Sequence, residues 1–402
     1  MHFWDKFWWD KYWHTLLRKI NEKKKVLSLF YEYLTCFVLA FIVSFATTPI
    51  AKKVAFCIGA VDVPKDDRRM HKKPIARLGG LAIFSGFIIA LLFGLICTLI
   101  GVVGIAPNKR LLGMLVGAFI IVGIGIVDDI KQLGPKIKFL FQILAAVAVV
   151  WISGDKISLI SNPFSTTGIS LLSDFIAYPL TILWIVGITN AINFIDGLDG
   201  LAAGVSSISY LSLMFISILQ GEEQTAMIIA ILAGSTLGFL PYNFNPAKIF
   251  MGDTGSTFLG FTLGVISIQG MMKTYAAISI AIPILVLGLP LFDTAFAILR
   301  RLVQGKPIMA PDRGHLHHRL IDMGFSQRQS VVTMYAVSGA LGLAAIVLAD
   351  KGALSAVILI IAVSVFLIAG SRYMSEINDS PDVIEETKEE SVHSLSMHKA
   401  KE

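Results

Sequence analysis

Apolar runs of membrane-spanning length recur along this chain and leave it few folds to choose from. A run of ~20 apolar residues crosses the hydrocarbon as a helix, because a backbone inside the bilayer must satisfy its own hydrogen bonds. About eleven such runs can be marked by that rule. They lie at 29–50, 78–101, 111–127, 139–153, 174–195, 201–219, 225–242, 256–272, 275–299, 331–349 and 353–370. Of the 402 residues, 55% are hydrophobic and 15% charged, whereas a soluble domain carries about 25% charged residues. The expected fold is therefore all-α, a polytopic membrane protein of about eleven transmembrane helices. Any active site would be formed by its loops.

The polar loops divide into two sets by their place between spans. Loops 51–77, 128–138, 193–200, 243–255 and 300–330 fall on one face and hold eighteen Lys/Arg, against five in the loops of the other face. The positive-inside rule makes the first set cytoplasmic. Residues 1–28 mix Trp4, Trp8, Trp9 and Trp13 with Lys and Asp, a pattern suited to an aromatic and basic segment at the headgroup level. Its own seven Lys/Arg run against the external side that the loop count assigns to it. Residues 29–370 would form the transmembrane domain, and 371–402, acidic and polar, a disordered cytoplasmic tail. Cys36, Cys57 and Cys97 have no ligand spacing and read as small buried hydrophobes.

Four polar side chains, Asn190, Asn193, Asp196 and Asp199, recur every third residue where the run 174–195 ends. If the helix persists, they lie side by side on its surface. Carboxylates beside a membrane span are expensive and by default mark a function; a polar turn between two spans is the bland alternative. A second acidic pair, Asp128 and Asp129, closes the third span, with Lys131 and Lys138 following. Adjacent carboxylates repel unless a cation or a shared proton relieves them. The pair is a candidate metal ligand and general base, with a solvated helix end as the alternative.

Asp253 stands between Gly252 and Gly255, placed for a hard cation that takes oxygen ligands. In the first loop Lys72, Lys73 and Arg77 could neutralise a phosphate, and Gly79 and Gly80 allow close backbone approach. Positive-inside charge alone would also explain those cations. In the last long loop His315, His317, His318 and Arg319 cluster within five positions. No cysteine partners suggest zinc there, and the carboxylates elsewhere favour Mg²⁺, with His and Arg beside a phosphate. Acidic and basic clusters on one face point to phosphoryl transfer at the membrane–water boundary, with one lipid substrate and one soluble one.

The runs Asn190–Leu201, Phe250–Ser256 and His315–Leu320, with Arg77–Gly80 and Asp128–Asp129, resemble the polyprenyl-phosphate N-acetylhexosamine-1-phosphate transferase family. The resemblance extends from about Ser44 to Gly370, and its five motifs occur in family order. The His-Leu-His-His-Arg form is similar to bacterial undecaprenyl-phosphate GlcNAc-1-phosphate transferases that initiate teichoic acid, O-antigen or related polymers. The phospho-MurNAc-pentapeptide transferase branch, the alternative, tends to carry a third His where Arg319 stands.

That resemblance implies transfer of GlcNAc-1-phosphate from UDP-GlcNAc to undecaprenyl phosphate, with Mg²⁺, or Mn²⁺ in its place. It implies Asp253 and Asn193 as metal ligands, and Asp128 and Asp129 near the lipid phosphate, one of them a candidate base. Lys72, Lys131 and Lys138 match phosphate-facing lysines. Asp196 and Asp199 would bear on the nucleotide, with Asn245 and Phe250 lining its base pocket. His317, His318 and Arg319 would contact diphosphate and sugar, with Arg77, Asn190 and His315 among the binding residues. The expected partners are the two substrates and the lipids of the plasma membrane, with no nucleic acid; a homodimer is left open. A lipid or ion transporter is the rival from another class, but transporters place carboxylates near the midplane rather than at span ends.

Overall fold

A computed structural model describes residues 3–63, 73–101, 104–161, 169–271, 280–305 and 314–361. The helices in chain order are α1 (Phe3–Ile58), α2 (Gly79–Leu99), α3 (Lys109–Lys131) and α4 (Pro135–Ser153). Next come α5 (Asp174–Ile195), α6 (Leu201–Leu219), α7 (Glu223–Asn243) and α8 (Gly252–Met271). The series closes with α9 (Ala281–Val286), α10 (Gly288–Val303), α11 (Leu316–Asp322) and α12 (Gln327–Lys351). Two short antiparallel hairpins interrupt the helices. Val61–Asp62 pairs with Ile75–Ala76, and Leu159–Ser161 with Ile169–Leu171. From Lys351 onward the chain forms a separate unit, helical over 353–361.

Eight helices are long and apolar enough to cross a membrane among the described residues. They coincide with expected runs to within a few residues, except that the first extends from Leu27 to Ile58. The expected run 256–272 is the helix α8, whose Gly, Ser and Thr dilute its apolar character. The expected run 275–299 is broken at Leu287 between α9 and α10. Helix α1 runs unbroken from Phe3 to Ile58, across the boundary at 28. The tail, 371–402, lies outside the described residues.

The helix at the centre is α8. It packs against α5, α3, α2 and α6, while α1 packs on α7 and α2 from outside. Phe258, Leu259, Phe261 and Leu263 of α8 are fully buried. Phe258 meets Phe84 edge-on at 5.4 Å, and Phe84 meets Phe119 of α3 at 5.2 Å, a geometry favoured by the ring quadrupoles. Several polar side chains inside the bundle pair with one another, as a dry interior favours. Tyr210 Oη lies 2.6 Å from Thr262 Oγ1 and donates to the Leu259 carbonyl. Trp184 Nε1 donates to Ser267 Oγ at 2.9 Å. Outward residues such as Trp151 and Phe175 are large, apolar and exposed, as lipid-facing positions should be. Of the three cysteines only Cys36 is buried; Cys57 is exposed and Cys97 intermediate, so the reading of all three as buried hydrophobes fails for two. On a membrane-facing helix an apolar side chain needs no protein cover.

Candidate active site

The buried N-terminus of α8 organises the site. The first turn of any helix leaves N–H groups without partners, and here they are met by a carboxylate from another helix. Asp129, 3% exposed at the end of α3, accepts from Asp253 N at 2.9 Å and Thr254 N at 3.0 Å. It also accepts from Thr254 Oγ1 at 2.6 Å. The pairing requires two backbones to come very close. Gly252 has φ +71°, and a Cβ there would stand 2.5 Å from Asp129 Oδ2. Across the same corner a Cβ on Gly80 would collide with the Gly255 backbone. Gly79 N and Gly80 N donate to the Phe250 and Met251 carbonyls at 2.9 and 2.8 Å. The close approach expected of Gly79 and Gly80 is therefore made to the protein's own chain.

Asp128 faces the other way. Its Oδ1 accepts from Leu133 N at 2.7 Å, which closes the turn after α3. Its Oδ2 takes Lys138 Nζ at 3.3 Å, and the same ammonium reaches Asp253 Oδ2 at 2.6 Å. Arg77 Nε lies 4.0 Å from Asp129 Oδ1. Ligand atoms of Asp128, Asp129 and Asp253 all lie within 4.8 Å of one another. Three carboxylates against two cations make an all-oxygen, electronegative cup of the kind that suits a hard divalent ion. Lys131, by contrast, is exposed, and Lys72 lies outside the described residues.

The polar series on α5 is split by the end of the helix. The helix stops at Ile195, with Asp196 as its C-cap and a turn before α6, so the four side chains do not share one helix face. The Asn190 amide donates to Gln142 Oε1 of α4 at 2.6 Å and to the Val186 carbonyl at 2.8 Å. Asn193 Nδ2 donates to Ser256 Oγ of α8 at 2.8 Å. Burial, reinforced by the carboxylates of Asp253 and Asp129, pushes the Asp196 carboxyl up to about 7. Asp199 Oδ2 accepts from Asn245 Nδ2 and Ala247 N, both at 3.0 Å. Asn245 also donates to Gln327 Oε1 at 2.7 Å, and its carbonyl takes Arg328. Phe250 is half-buried, its N–H bonded to the Ala76 carbonyl at 2.8 Å.

The histidine run is packed against the same end of α5. His317 is buried, and its ring occupies the space a Cβ on Gly197 would take. Burial, with His318 alongside, lowers its imidazole to about 4, so it is neutral at pH 7. Its Nδ1 has no partner among the described residues. The rings of His315 and His317 stack at 5.8 Å, and those of His317 and His318 lie 4.2 Å apart. Arg319 is exposed, its guanidinium 5.0 Å over the Phe296 ring.

The sequence model of glycosyl transferase family 4 matches residues 111–271. A Bacillus subtilis (strain 168) protein, named probable undecaprenyl-phosphate N-acetylglucosaminyl 1-phosphate transferase, is 45% identical over 315 residues. That match covers 77% of this chain and 84% of the relative. The chain belongs to the polyprenyl-phosphate N-acetylhexosamine-1-phosphate transferase family.

Other relatives in this transferase family include the decaprenyl-phosphate N-acetylglucosaminephosphotransferase of Mycobacterium tuberculosis (strain CDC 1551 / Oshkosh). It is 35% identical, over 74% of this chain and 77% of its own. The undecaprenyl-phosphate alpha-N-acetylglucosaminyl 1-phosphate transferase of Salmonella typhi is 30% identical, over 77% and 80%.

Some residues of the transferase site escape a reading of motifs. Thr254 and Ser256 stand inside the run Phe250–Ser256, but their roles in holding Asp129 and Asn193 are not written there. Gln142 is hidden in the same way. Asp293 did have a signal, as the one carboxylate within the apolar run 275–299. An ionisable side chain inside a span is a site candidate by default.

Proposed function

We propose that this protein transfers GlcNAc-1-phosphate from UDP-GlcNAc to undecaprenyl phosphate, giving undecaprenyl-diphospho-GlcNAc and UMP. The observation that carries the proposal is the gathering of Asp128, Asp129 and Asp253, the first and last sharing Lys138, at the ends of α3, α4 and α8. The named relatives supply the substrate class. An oxygen of the lipid phosphate attacks the β-phosphorus of the sugar nucleotide, and the bond from that phosphorus to the bridging oxygen breaks as UMP leaves. A phosphomonoester has a second pKa of about 6, so the acceptor is already anionic, and the barrier is dominated by repulsion between two anions.

Mg²⁺, held by Asp253 and Asn193 with Asp128, would supply Lewis-acid relief of that charge; Mn²⁺ suits the same oxygens. Lys138 and Arg77 receive phosphate oxygens, joined by Lys72 and Lys131. Asp129 keeps the α8 N-terminus in place. Asp196, its carboxyl raised by burial, and Asp199, through the Asn245 loop, shape the nucleotide side together with Phe250. The unpartnered His317 Nδ1 and the Arg319 guanidinium suit a diphosphate or sugar oxygen.

The reading places the site on the cytoplasmic face of the plasma membrane, about eleven helices in the fold and the acidic tail in the cytoplasm. Residues 1–28 serve as an aromatic and basic segment at the headgroup level. Purified protein with Mg²⁺, undecaprenyl phosphate and UDP-GlcNAc should release UMP and a lipid-linked sugar. UDP-GalNAc and UDP-MurNAc-pentapeptide, run alongside, test the hexosamine. No UMP from any of the three would end the reading.

A further inference from the structure

Asp293 is a buried carboxylate on α10, a helix otherwise divided between apolar faces. Gly288, Leu289, Pro290, Asp293 and Ala297 point inward, while Phe292, Phe296, Leu299 and Val303 are exposed. A carboxylate on the inward face is expensive unless its oxygens are engaged. Both are. Oδ2 lies 2.9 Å from His315 Nδ1, and Oδ1 accepts from Leu316 N at 2.8 Å. A carboxylate can only accept, so the imidazole must carry its proton on Nδ1 and turn Nε2 away from Asp293.

From this anchor the rings run in series. His315 is parallel to His317 within 7°, His317 tilts onto His318, and Phe194 of α5 flanks His315 at 6.3 Å. The same helix grips the loop twice more. Arg300 donates to the Gly314 carbonyl at 2.8 Å, and Phe296 carries Arg319.

We propose that Asp293 is a positioning residue for the transfer reaction: it fixes the tautomer and orientation of His315 and, through the stacked rings, the placement of His317 and His318 over the end of α5. The inference rests on the reading of the histidine loop as a substrate-binding element. It adds a residue that touches no substrate and acts from the inward face of α10. Asp128 and Asp253 share a lysine, but Asp293 meets a ring and a backbone N–H, which is what orientation requires and charge storage does not.

The test uses the full chain in nanodiscs. Asp293→Ala should lower kcat by about 10- to 100-fold, the range for loss of an orienting partner, with KM for the sugar nucleotide changed less than about threefold. His315→Ala should cost a similar factor, and the double variant no more than about twofold beyond either single one, because the carboxylate acts through the ring. Asp293→Asn keeps an acceptor for Leu316 N–H and carries the test if the alanine variant does not fold. Nitrogen-15 spectra of labelled histidine should show one His315 tautomer, protonated at Nδ1, in wild type and a mixture in Asp293→Asn.

Multiplying losses in the double variant, an unimpaired Asp293→Ala or an unchanged tautomer would each overturn the proposal. The spectra need no turnover. They judge the Asp293–His315 link even where wild type makes no product, an outcome that would instead count against the transfer reading.

Discussion

The two ends of the helix bundle handle charge in opposite ways. At one end the ion pairs are matched. Arg110 Nε meets Asp155 Oδ1 at 3.0 Å, Lys156 Nζ meets Asp174 Oδ1 at 2.5 Å, and Asn108 caps α3 by accepting from Leu111 N. At the other end Asp128, Asp129 and Asp253 share Lys138 and Arg77, and Asp196 adds a further carboxyl. A matched pair leaves no net charge for a ligand to neutralise. A cluster with excess negative charge at a membrane boundary is poorly stabilised by the protein alone, and its remaining demand is for a ligand. Burial does not separate the two ends, since Asp155 and Asp128 are each 4% exposed. Stoichiometry does.

The largest expected effect tests that contrast directly. Asp253→Asn should reduce UMP release by about 1000-fold, roughly 4 kcal/mol of barrier, while Asp155→Asn, its counterpart at the matched end, should keep turnover within about threefold. Activity of Asp253→Asn above a tenth of wild type would erase the distinction.

The arginines give the next contrast. The exposed planar fork of Arg319 can hold a diphosphate in two places, which an ammonium cannot reproduce. Arg319→Lys should cost about 2–3 kcal/mol, or roughly 30- to 150-fold in kcat/KM. Arg110→Lys should change kcat/KM by less than about twofold. Arg300 borders the same loop but cannot serve as the control, since it holds the Gly314 carbonyl. Equal losses at Arg319 and Arg110 would reduce Arg319 to one more topogenic charge.

A smaller effect is expected from a single methyl group. Gly252→Ala strains a left-handed residue by about 1–2 kcal/mol, and its Cβ would also collide with the Arg77 carbonyl oxygen and press on Asp129, so thermal stability and activity should fall together. Gly123→Ala on α3 has nothing within 4 Å and should be silent in both assays. Harm from Gly123→Ala instead would mean that α3 tolerates no change anywhere, and the corner at Gly252 would lose its special standing.

The smallest effect is on pH dependence. With its folded value near 7 against an ordinary 3.8, Asp196 keeps a proton between those values that the unfolded chain has lost. Stability should therefore fall as pH rises through that window and level off above 7. In chelator, the unfolding midpoint of wild type should drop by a few degrees from pH 5 to pH 7.5, and Asp196→Asn should flatten the slope. Identical slopes would show that another group carries the proton.

Much of the helical layout could be read from residue order, because a span of ~20 apolar residues is a local property. The run 201–219 agrees with α6 to the residue. The break at Leu287 and the role of α8 as central helix could not be read so, since both depend on what packs alongside. At the site, Asp128, Asp129 and Asp253 stood out by charge in apolar surroundings. What each does was hidden, as Asp129 caps a helix that begins more than a hundred positions later in the chain. The three-residue spacing of Asn190, Asn193, Asp196 and Asp199 assumed a helix that in fact ends at Ile195.

Composition and motif order alone determined that this chain lives in a membrane, which residues are chemically expensive there and which family they resemble. Those are facts about single residues and their neighbours in the chain, where the cost of a charge or an unpaired backbone is incurred locally. Only the tertiary structure decided which oxygen meets which nitrogen: that Lys138 is shared by two carboxylates, that Asn190 turns to Gln142, and that Asp293 holds His315. Hydrogen bonds and charge relief act over a few ångströms of space, and sequence distance does not measure that.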